Sequence, residues 1–289
     1  MAATIQQLGA PTALADILQN YSVEVTSRDR KSIDAAPELL APGSEVFIAA
    51  LPGDSVDSLV NAAAQLRRAR LVPVPHIVAR NIENVRDLDA LIGRLTQEAG
   101  VDRCLSLGGD RDKPAGDLTS SLQVIETGVF QKHGVRQLFI GCYPEGHPKI
   151  SDAVLDEQRA LKLAAIEQAG LDATLVSQFC FEADAVVSLA RRMRAQGTKA
   201  PFRVGVAGPA DRALLIKYAL ICGVGNSIRV LKNRGEMTKN LLSGETPEQL
   251  VSEVAAAQAQ DPGLGISGVH FFTFGSLARS AQWAEAHKR

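Results

Sequence analysis

The chain alternates between short apolar runs and longer stretches in which apolar positions recur with helical spacing. In 46–51 and 137–142 almost every residue is apolar, which is typical of strands buried on both faces. In 54–66 the apolar residues stand three or four positions apart, as they do on one face of a helix. The pattern therefore predicts buried strands separated by amphipathic helices.

Along the whole chain this pattern predicts about eight strands that alternate with helices. Two local signals mark helix starts: Asp54 is a predicted N-cap, and 246–249 has the pattern of a capping box with proline at the first helical position. The predicted strands are 22–26, 46–51, 71–78, 104–107, 137–142, 174–181, 202–207 and 268–274. The predicted helices are 11–21, 33–40, 54–66, 85–99, 118–132, 151–169, 183–195, 209–221, 246–259 and one that follows Ser276.

Strands that alternate with helices pair in parallel through helical crossovers. About eight such units in 289 residues favour a closed (β/α)8 barrel, the TIM barrel of the α/β class, over an open doubly wound sheet. No low-complexity linker or internal repeat divides the chain. We therefore expect residues 1–289 to form a single barrel domain, with an N-terminal helix at about 11–21.

Charge and hydropathy exclude several classes of partner. The formal net charge is −1 at pH 7, which gives no bulk attraction to nucleic acid or to an anionic membrane. No apolar run approaches the roughly 20 residues that span a bilayer, and the first residues lack the pattern of a secretory leader. We therefore expect a cytoplasmic protein that binds neither nucleic acid nor membrane.

The four cysteines stand far apart, within or beside apolar runs, at positions 104, 142, 180 and 222. Reduced thiols in the core account for this placement better than disulfides or a metal site. The chain has no HExxH or CxxC motif and no glycine-rich nucleotide motif. Asp110 and Asp112 lack the spacing of a calcium loop, so we expect no bound metal.

Glu24 is the most informative polar residue within a predicted strand. It lies between Val23 and Val25, and a buried carboxylate without a partner is costly and has a raised pKa. Two interpretations stay open: a paired structural glutamate, or a proton donor at a functional site.

Other polar side chains follow the predicted strands, where a barrel of this type has its active site. His76 has the simpler interpretation of a hydrogen-bonded core histidine, and Asp110 that of a turn or helix cap. Gln178 is equally compatible with a structural hydrogen bond and with a ligand contact. His147 lies in the loop 143–148 and could simply order that proline-containing loop.

With these residues assembled, the chain resembles the methylenetetrahydrofolate reductase family from about residue 22 to 274. The order and spacing of several short motifs support the resemblance, although none is decisive alone. The family has a (β/α)8 barrel, in agreement with the strand count. The motifs are Ser22-Val23-Glu24-Val25, Leu107-Gly108-Gly109-Asp110, the loop 143–148, Ser177-Gln178-Phe179 and 268–273.

The resemblance implies reduction of 5,10-methylenetetrahydrofolate to 5-methyltetrahydrofolate, usually through FAD that NADH or NADPH recharges. Glu24 matches the family's acid, which protonates N10 as the five-membered ring opens, and a carboxyl kept protonated by a low-dielectric site suits this task. Asp110 and Gln178 match residues that contact the pterin, and Asp110 matches a catalytic aspartate that can also influence a nearby flavin. The positions that match the flavin side are His76, Gly109, Tyr143 and His147.

Several positions depart from the family pattern on the flavin side. The segment after Glu24 is Val25-Thr26-Ser27-Arg28 where the family usually has Phe-Phe-Pro-Pro, and Gly108 replaces a common arginine. A threonine-tyrosine-glycine turn is replaced by 50–52, and the helix before Gln178 has Lys162 as its nearest cation to the flavin phosphate. Because a phosphate without a basic partner loses charge-assisted hydrogen bonds, these departures indicate weakened flavin binding.

These departures suggest that NAD(P)H passes hydride directly to the substrate, or that the enzyme oxidises methyltetrahydrofolate in the cell. Two other classes stay open on the same barrel: a pterin-dependent methyltransferase and a non-catalytic folate-binding protein. A tetrahydrofolate derivative is the expected partner in every case, and a homo-oligomer is left open.

Overall fold

The computed structural model describes residues 10–51, 53–221 and 246–288. Within these ranges eight strands alternate with helices, as the hydrophobic pattern predicts. The strands are β1 (Ser22–Thr26), β2 (Glu45–Ala49), β3 (Val72–Val78), β4 (Arg103–Leu107), β5 (Gln137–Cys142), β6 (Asp172–Ser177), β7 (Phe202–Ala207) and β8 (Ile266–Phe272).

The eight strands form a closed barrel in which each strand pairs in parallel with its neighbours in sequence. β8 closes the ring by pairing with β1, so that Glu24 lies abreast of Phe272 on one side and of Phe47 on the other. The predicted (β/α)8 barrel is therefore confirmed.

The helices lie between the strands and cover the outside of the barrel. None of the helices in the described ranges is both long and apolar enough to cross a bilayer. They are α1 (Ala10–Leu18), α2 (Arg30–Leu39), α3 (Val56–Arg68), α4 (Val85–Ala99), α5 (Ser121–Glu126), α6 (Val129–Lys132), α7 (Asp152–Gln168), α8 (Ala183–Ala195), α9 (Arg212–Ile221), α10 (Glu248–Gln260) and α11 (Leu277–His287).

One predicted helix is divided in two. The helix expected over 118–132 is interrupted between α5 and α6, where Gly128 adopts a φ of 76°. A left-handed residue cannot continue a right-handed helix, and glycine adopts that conformation without a steric penalty.

Two predicted helix caps are wrong. Ser55, not Asp54, is the N-cap of α3, and its hydroxyl accepts a hydrogen bond from the backbone N–H of Ser58. α10 begins one residue later than predicted, so Pro247 is its N-cap and Thr246 lies outside the helix; no side chain caps this end. In the first case the serine has the extended backbone of an N-cap, and the Asp54 carboxylate binds other groups.

The strands bury both of their faces. Outward-facing residues of the strands join the main hydrophobic core beneath the helices, whereas an inner cluster fills the barrel itself. Each fully buried aromatic or branched side chain of this cluster contributes roughly 1.5–3 kcal/mol. The buried members of the inner cluster are Phe47, Val74, Leu105, Phe139 and Val176.

A group of charges lies below this inner apolar layer, at the amino ends of the strands. Glu45 Oε1 lies 2.5 Å from Arg103 Nη1, and Glu45 Oε2 contacts the guanidinium of Arg203. The Arg203 guanidinium also lies 5.4 Å from the centre of the Phe139 ring. These ion pairs therefore fill the amino-terminal end of the barrel.

Three of the four cysteines lie in described residues, and all three are buried with free thiols: Cys104, Cys142 and Cys180. Burial raises the pKa of each thiol, which keeps it protonated and unreactive. Cys222 lies outside the described residues.

The backbones of β6 and β7 approach closely at Gly205, which gives a test of barrel packing. A Cβ at Gly205 would lie 2.1 Å from the backbone oxygen of Ser177, a group that cannot rotate away. We expect Gly205→Ala to lower the free energy of unfolding by about 1–3 kcal/mol, measured by urea denaturation. Gly108→Ala is the control, because a Cβ there meets nothing within 4 Å. Equal stability of the two variants would contradict this close approach.

Candidate active site

A carboxylate and two imidazoles meet at the mouth of the barrel. Glu24 of β1 points inward, and its Oε2 atom lies 3.3 Å from Nε2 of His76 on β3 and 3.6 Å from Nε2 of His270 on β8. The Glu24 side chain is 18% exposed, whereas those of His76 and His270 are 9% and 0% exposed. Among the described residues, no group of three ligating side chains is placed to bind a metal ion.

The two imidazoles are held by different neighbours. The Nδ1 atom of His270 lies 2.9 Å from the hydroxyl oxygen of Ser22, within the buried part of β1. The Phe47 ring packs against His270, with 4.4 Å between ring centres, and lies 6.4 Å from His76. Thr273 donates a hydrogen bond of 2.5 Å to the backbone oxygen of Glu24 and so ties β1 to the end of β8. His270 is therefore held by a hydrogen bond and a close ring contact, whereas His76 is held by the Glu24 carboxylate and a more distant ring.

The structure corrects the expectation that Glu24 is kept protonated. Burial raises the pKa of this carboxyl, but the facing imidazoles, His76 first and His270 second, outweigh burial and bring the pKa to about 2. Burial lowers the pKa of His270, although Glu24 opposes that effect. Glu24 is therefore an ionised carboxylate at neutral pH, and any proton it delivers has to come through a neighbouring group.

A second cluster lies at the ends of β4 and β5. Burial and then the negative charge of Asp110 raise the pKa of Tyr143 to about 12. Burial lowers the pKa of His147, while Asp110 acts in the opposite direction. The Tyr143 and His147 rings meet edge to face with 5.1 Å between their centres, and Nδ1 of His147 accepts a hydrogen bond from the backbone N–H of Lys149. Asp110 itself is exposed.

The position of Asp110 is set by packing between the loops after β3 and β4. Gly109 has a φ of 96°, and a Cβ there would lie 2.5 Å from Cγ1 of Val78. The guanidinium of Arg80 donates hydrogen bonds to the backbone oxygens of Arg111 and Thr119. Glycine at 109 is therefore required by both its conformation and the close approach of β3.

Gln178 lies just beyond β6 and is half-buried. Its backbone N–H donates to the backbone oxygen of Cys142, and its side-chain oxygen accepts from the N–H of Phe179. The side-chain oxygen of Gln178 therefore makes a structural hydrogen bond, which was one of its two interpretations.

Glu24 lies in the middle of β1 and His76 near the end of β3, whereas the other predicted site residues follow β4, β5 and β6, and together they form separate groups. Glu24 and His76 are in contact, and Asp110 lies with the two ring residues of the β5 loop. Within the described residues, no hydrogen bond or ion pair joins Glu24 to Asp110 or to Gln178. A ligand would have to bridge these groups.

Sequence reasoning missed His270 as a site residue. It lies in the segment 268–273, which was predicted as part of the last strand and as one of the motifs of the resemblance, with no role for its histidine. Alternation along β8 was the available signal, because His270 faces the barrel interior while Val269 and Phe271 pack in the outer core.

The loops after β1 and β2 are joined by Asp54. Its carboxylate accepts a hydrogen bond from the Ser27 hydroxyl and lies 2.5 Å from Nε of Arg28. Arg28 also donates to the backbone oxygen of Gly53. The segment that departs from the reductase family after Glu24 is therefore part of an ordered rim.

The basic residues of α7 do not fit the phosphates of a flavin. Arg159 is buried, and its guanidinium binds the side chains of Asp156 and Gln196. Lys162 is half-buried, and burial lowers its pKa. On β3, His76, which matches a position on the flavin side of the family, directs its Nε2 atom toward Glu24. Arg159 is therefore engaged by other side chains and is not presented to a phosphate group.

No protein-family model matches the chain. Among solved structures, it is similar to a Burkholderia cenocepacia protein assigned by inference as a lyase/mutase, at 16% identity and a TM-score of 0.49, with 96% of this chain and 85% of that one covered. It is also similar to dihydropteroate synthase from Thermus thermophilus, at 15% identity and a TM-score of 0.49, with 93% of this chain and 94% of that one covered. Likeness at this level carries no argument about activity, and the fold rests on the strand pairing itself.

The ionised state of Glu24 predicts a pH-dependent contribution to stability. Its pKa is about 2 in the folded protein and near 4.5 when unfolded, so the contribution is complete above pH 4.5 and is lost as the pH falls through 2. The shift corresponds to something on the order of 3 kcal/mol. We expect the stability advantage of wild type over Glu24→Gln to shrink from pH 5 to pH 2, measured by urea denaturation at each pH. An advantage that stays constant over this range would contradict the assignment.

Proposed function

We propose that the protein interconverts 5,10-methylenetetrahydrofolate and 5-methyltetrahydrofolate, with a nicotinamide as the hydride partner. The observation that carries the proposal is the Glu24 carboxylate at the barrel mouth in contact with two imidazoles. Opening the five-membered ring of the substrate requires a proton at N10, and this cluster is a built-in source of one.

The residues of the cluster suit the ring-opening step. The bond between N10 and the methylene carbon breaks, its electron pair stays on N10, and the proton reaches N10 through Glu24. The carbon is left as an iminium on N5, which is the species that accepts hydride. In the reverse direction Glu24 takes the proton from N10 and passes it to a facing imidazole, because a carboxyl with a pKa of about 2 does not keep it.

Asp110 and Gln178 are assigned to the pterin ring. The exposed carboxylate of Asp110 can accept hydrogen bonds from the amino and ring N–H groups of a pterin. Gln178 offers its amide nitrogen as a donor, because its oxygen already accepts from Phe179. Both residues follow strands of the same barrel as Glu24, and the proposal requires one ligand to bridge all three.

Direct transfer from a nicotinamide is preferred to a bound FAD because the departures from the family pattern, Gly108 and 50–52 among them, lie at positions that match the flavin side. Arg159 is occupied by Asp156 and Gln196, and Lys162 is half-buried. Direct transfer supplies the hydride from the nicotinamide C4 position to the iminium carbon, without a bound flavin between them. No step of this proposal depends on flavin chemistry.

An anaerobic assay with methylenetetrahydrofolate and each nicotinamide tests the proposal, on protein whose flavin content is measured by absorption. We expect turnover without stoichiometric flavin. We further expect Glu24→Gln to lower kcat by about 10²–10⁴-fold, because the amide cannot relay a proton, while folate binding measured by calorimetry is retained.

Two results would count against this proposal. Folate binding without turnover in wild type would favour a non-catalytic folate-binding protein. Methyl transfer from methyltetrahydrofolate to a corrinoid or thiol, without nicotinamide turnover, would favour a methyltransferase.

The assignment of Asp110 gives a separate prediction. Asp110→Asn should weaken folate binding by about tenfold and lower kcat as well, because an ionised acceptor bonds more strongly than an amide. Asp112→Asn is the control, since Asp112 is exposed and its carboxylate contacts Lys149. Calorimetry and the reductase assay measure both variants, and unchanged binding in Asp110→Asn would exclude a pterin contact.

A further inference from the structure

Resting on the proposed function, we propose that His76 is a positioning residue that holds the proton delivered through Glu24, while His270 stays neutral and orients the carboxylate. The resemblance to the reductase family places His76 on the flavin side. In this structure its Nε2 atom lies 3.3 Å from Glu24 Oε2 and takes part in a different interaction.

Geometry identifies Glu24 as the polar partner of His76. The Nε2 atoms of His76 and His270 are both buried and form no hydrogen bond within the described residues, and the Glu24 carboxylate lies nearer to His76, at 3.3 Å against 3.6 Å. A buried imidazole N–H without an acceptor is costly, and the carboxylate oxygen is the group that faces it. A proton on Nε2 therefore lies between the two side chains.

His270 is suited to a different role. It is fully buried, and its Nδ1 atom is already paired with the Ser22 hydroxyl. The positive charge of Arg203 on β7, together with burial, disfavours a second proton on this ring. His270 therefore orients Glu24 as a neutral ring, and the proton is left to His76.

Among the described residues, no ion pair joins His76 to a charged group other than Glu24. β1 presents Glu24 and β8 presents the neutral His270. β2 presents the Phe47 ring, and Leu105 of β4 is the register neighbour of His76. The carboxylate is thus the charged group in contact with this imidazole, and the pair has no net charge when His76 is protonated.

The proton transfer balances without another reactant. A proton moves from His76 Nε2 to the Glu24 carboxylate, and a proton passes from the carboxyl group to N10 as the N10–carbon bond breaks. Glu24 returns to its ionised state, and His76 is left neutral until solvent reprotonates it. Its 9% exposure at the mouth gives solvent a route to the ring once product leaves.

The test measures kcat from pH 5 to pH 9 for wild type, His76→Asn and His133→Asn. His133 is the matched control, because its Nε2 atom lies 2.9 Å from the Asp89 carboxylate, away from the mouth. We expect His76→Asn to lose about 10²-fold in kcat at pH 7.5, to recover toward acid pH and to keep its folate affinity. His133→Asn should follow wild type at every pH.

A double variant separates positioning from a structural effect. If His76 acts through Glu24, then His76→Asn with Glu24→Gln should lose no more activity than Glu24→Gln alone. Additive losses, or an equal loss for His76→Asn at every pH, would overturn the proposal while leaving the reductase function in place.

Infrared spectroscopy of isotope-labelled glutamate decides the matter without turnover. Removal of His76 leaves burial less opposed, so the pKa of Glu24 should rise well above its wild-type value of about 2. If wild type shows no reductase activity, the proposed function fails, and this spectrum still tests the pairing. A carboxylate band that titrates at the same pH in His76→Asn as in wild type overturns the role of His76.

Discussion

An ionised carboxylate inside a barrel mouth needs compensating partners, and this requirement determines the arrangement of the site. Glu24 is mostly enclosed, so burial alone would drive it toward its neutral form. His76 and His270 reverse that tendency from opposite sides, and the Phe47 ring fills the space beside them. The closure of β8 on β1 is what brings a histidine from the end of the chain to a glutamate near its beginning.

The barrel interior contains three layers along its axis. Glu45 and two arginines form the floor, the apolar cluster fills the middle, and the carboxylate–imidazole group lies at the mouth. Buried ion pairs contribute little net stability once desolvation is counted, whereas the apolar layer contributes by removing area from water. The stability of the barrel therefore comes from the middle layer and the outer core, and the charged residues at either end contribute little to it.

The sequence predicted the fold well because buried parallel strands leave an unmistakable signal. Runs such as 137–142 contain almost no polar residue, so their number and spacing were sufficient to predict a closed barrel. Helix ends were predicted less well. The Asp54 carboxylate binds Ser27 and Arg28 in the loop after β1 and does not cap α3. Local propensity cannot show such contacts.

The site was predicted in part, and the failures have a common cause. Glu24 and His76 stood out because each is a polar residue within an apolar strand. His270 was overlooked because its neighbours are aromatic, and its inward direction depends on which face of β8 meets the barrel axis. The pKa of Glu24 was expected to be raised and is lowered. The sequence of β1 alone cannot show the imidazoles that β3 and β8 place beside this carboxyl.

The apolar cluster fills the barrel below the carboxylate–imidazole group, so within the described residues Glu24 is approached from the carboxyl ends of the strands. Under the proposed function the folate and the nicotinamide would share this approach. The second reactant to bind would then cover the first, and the two would bind and leave in a fixed order.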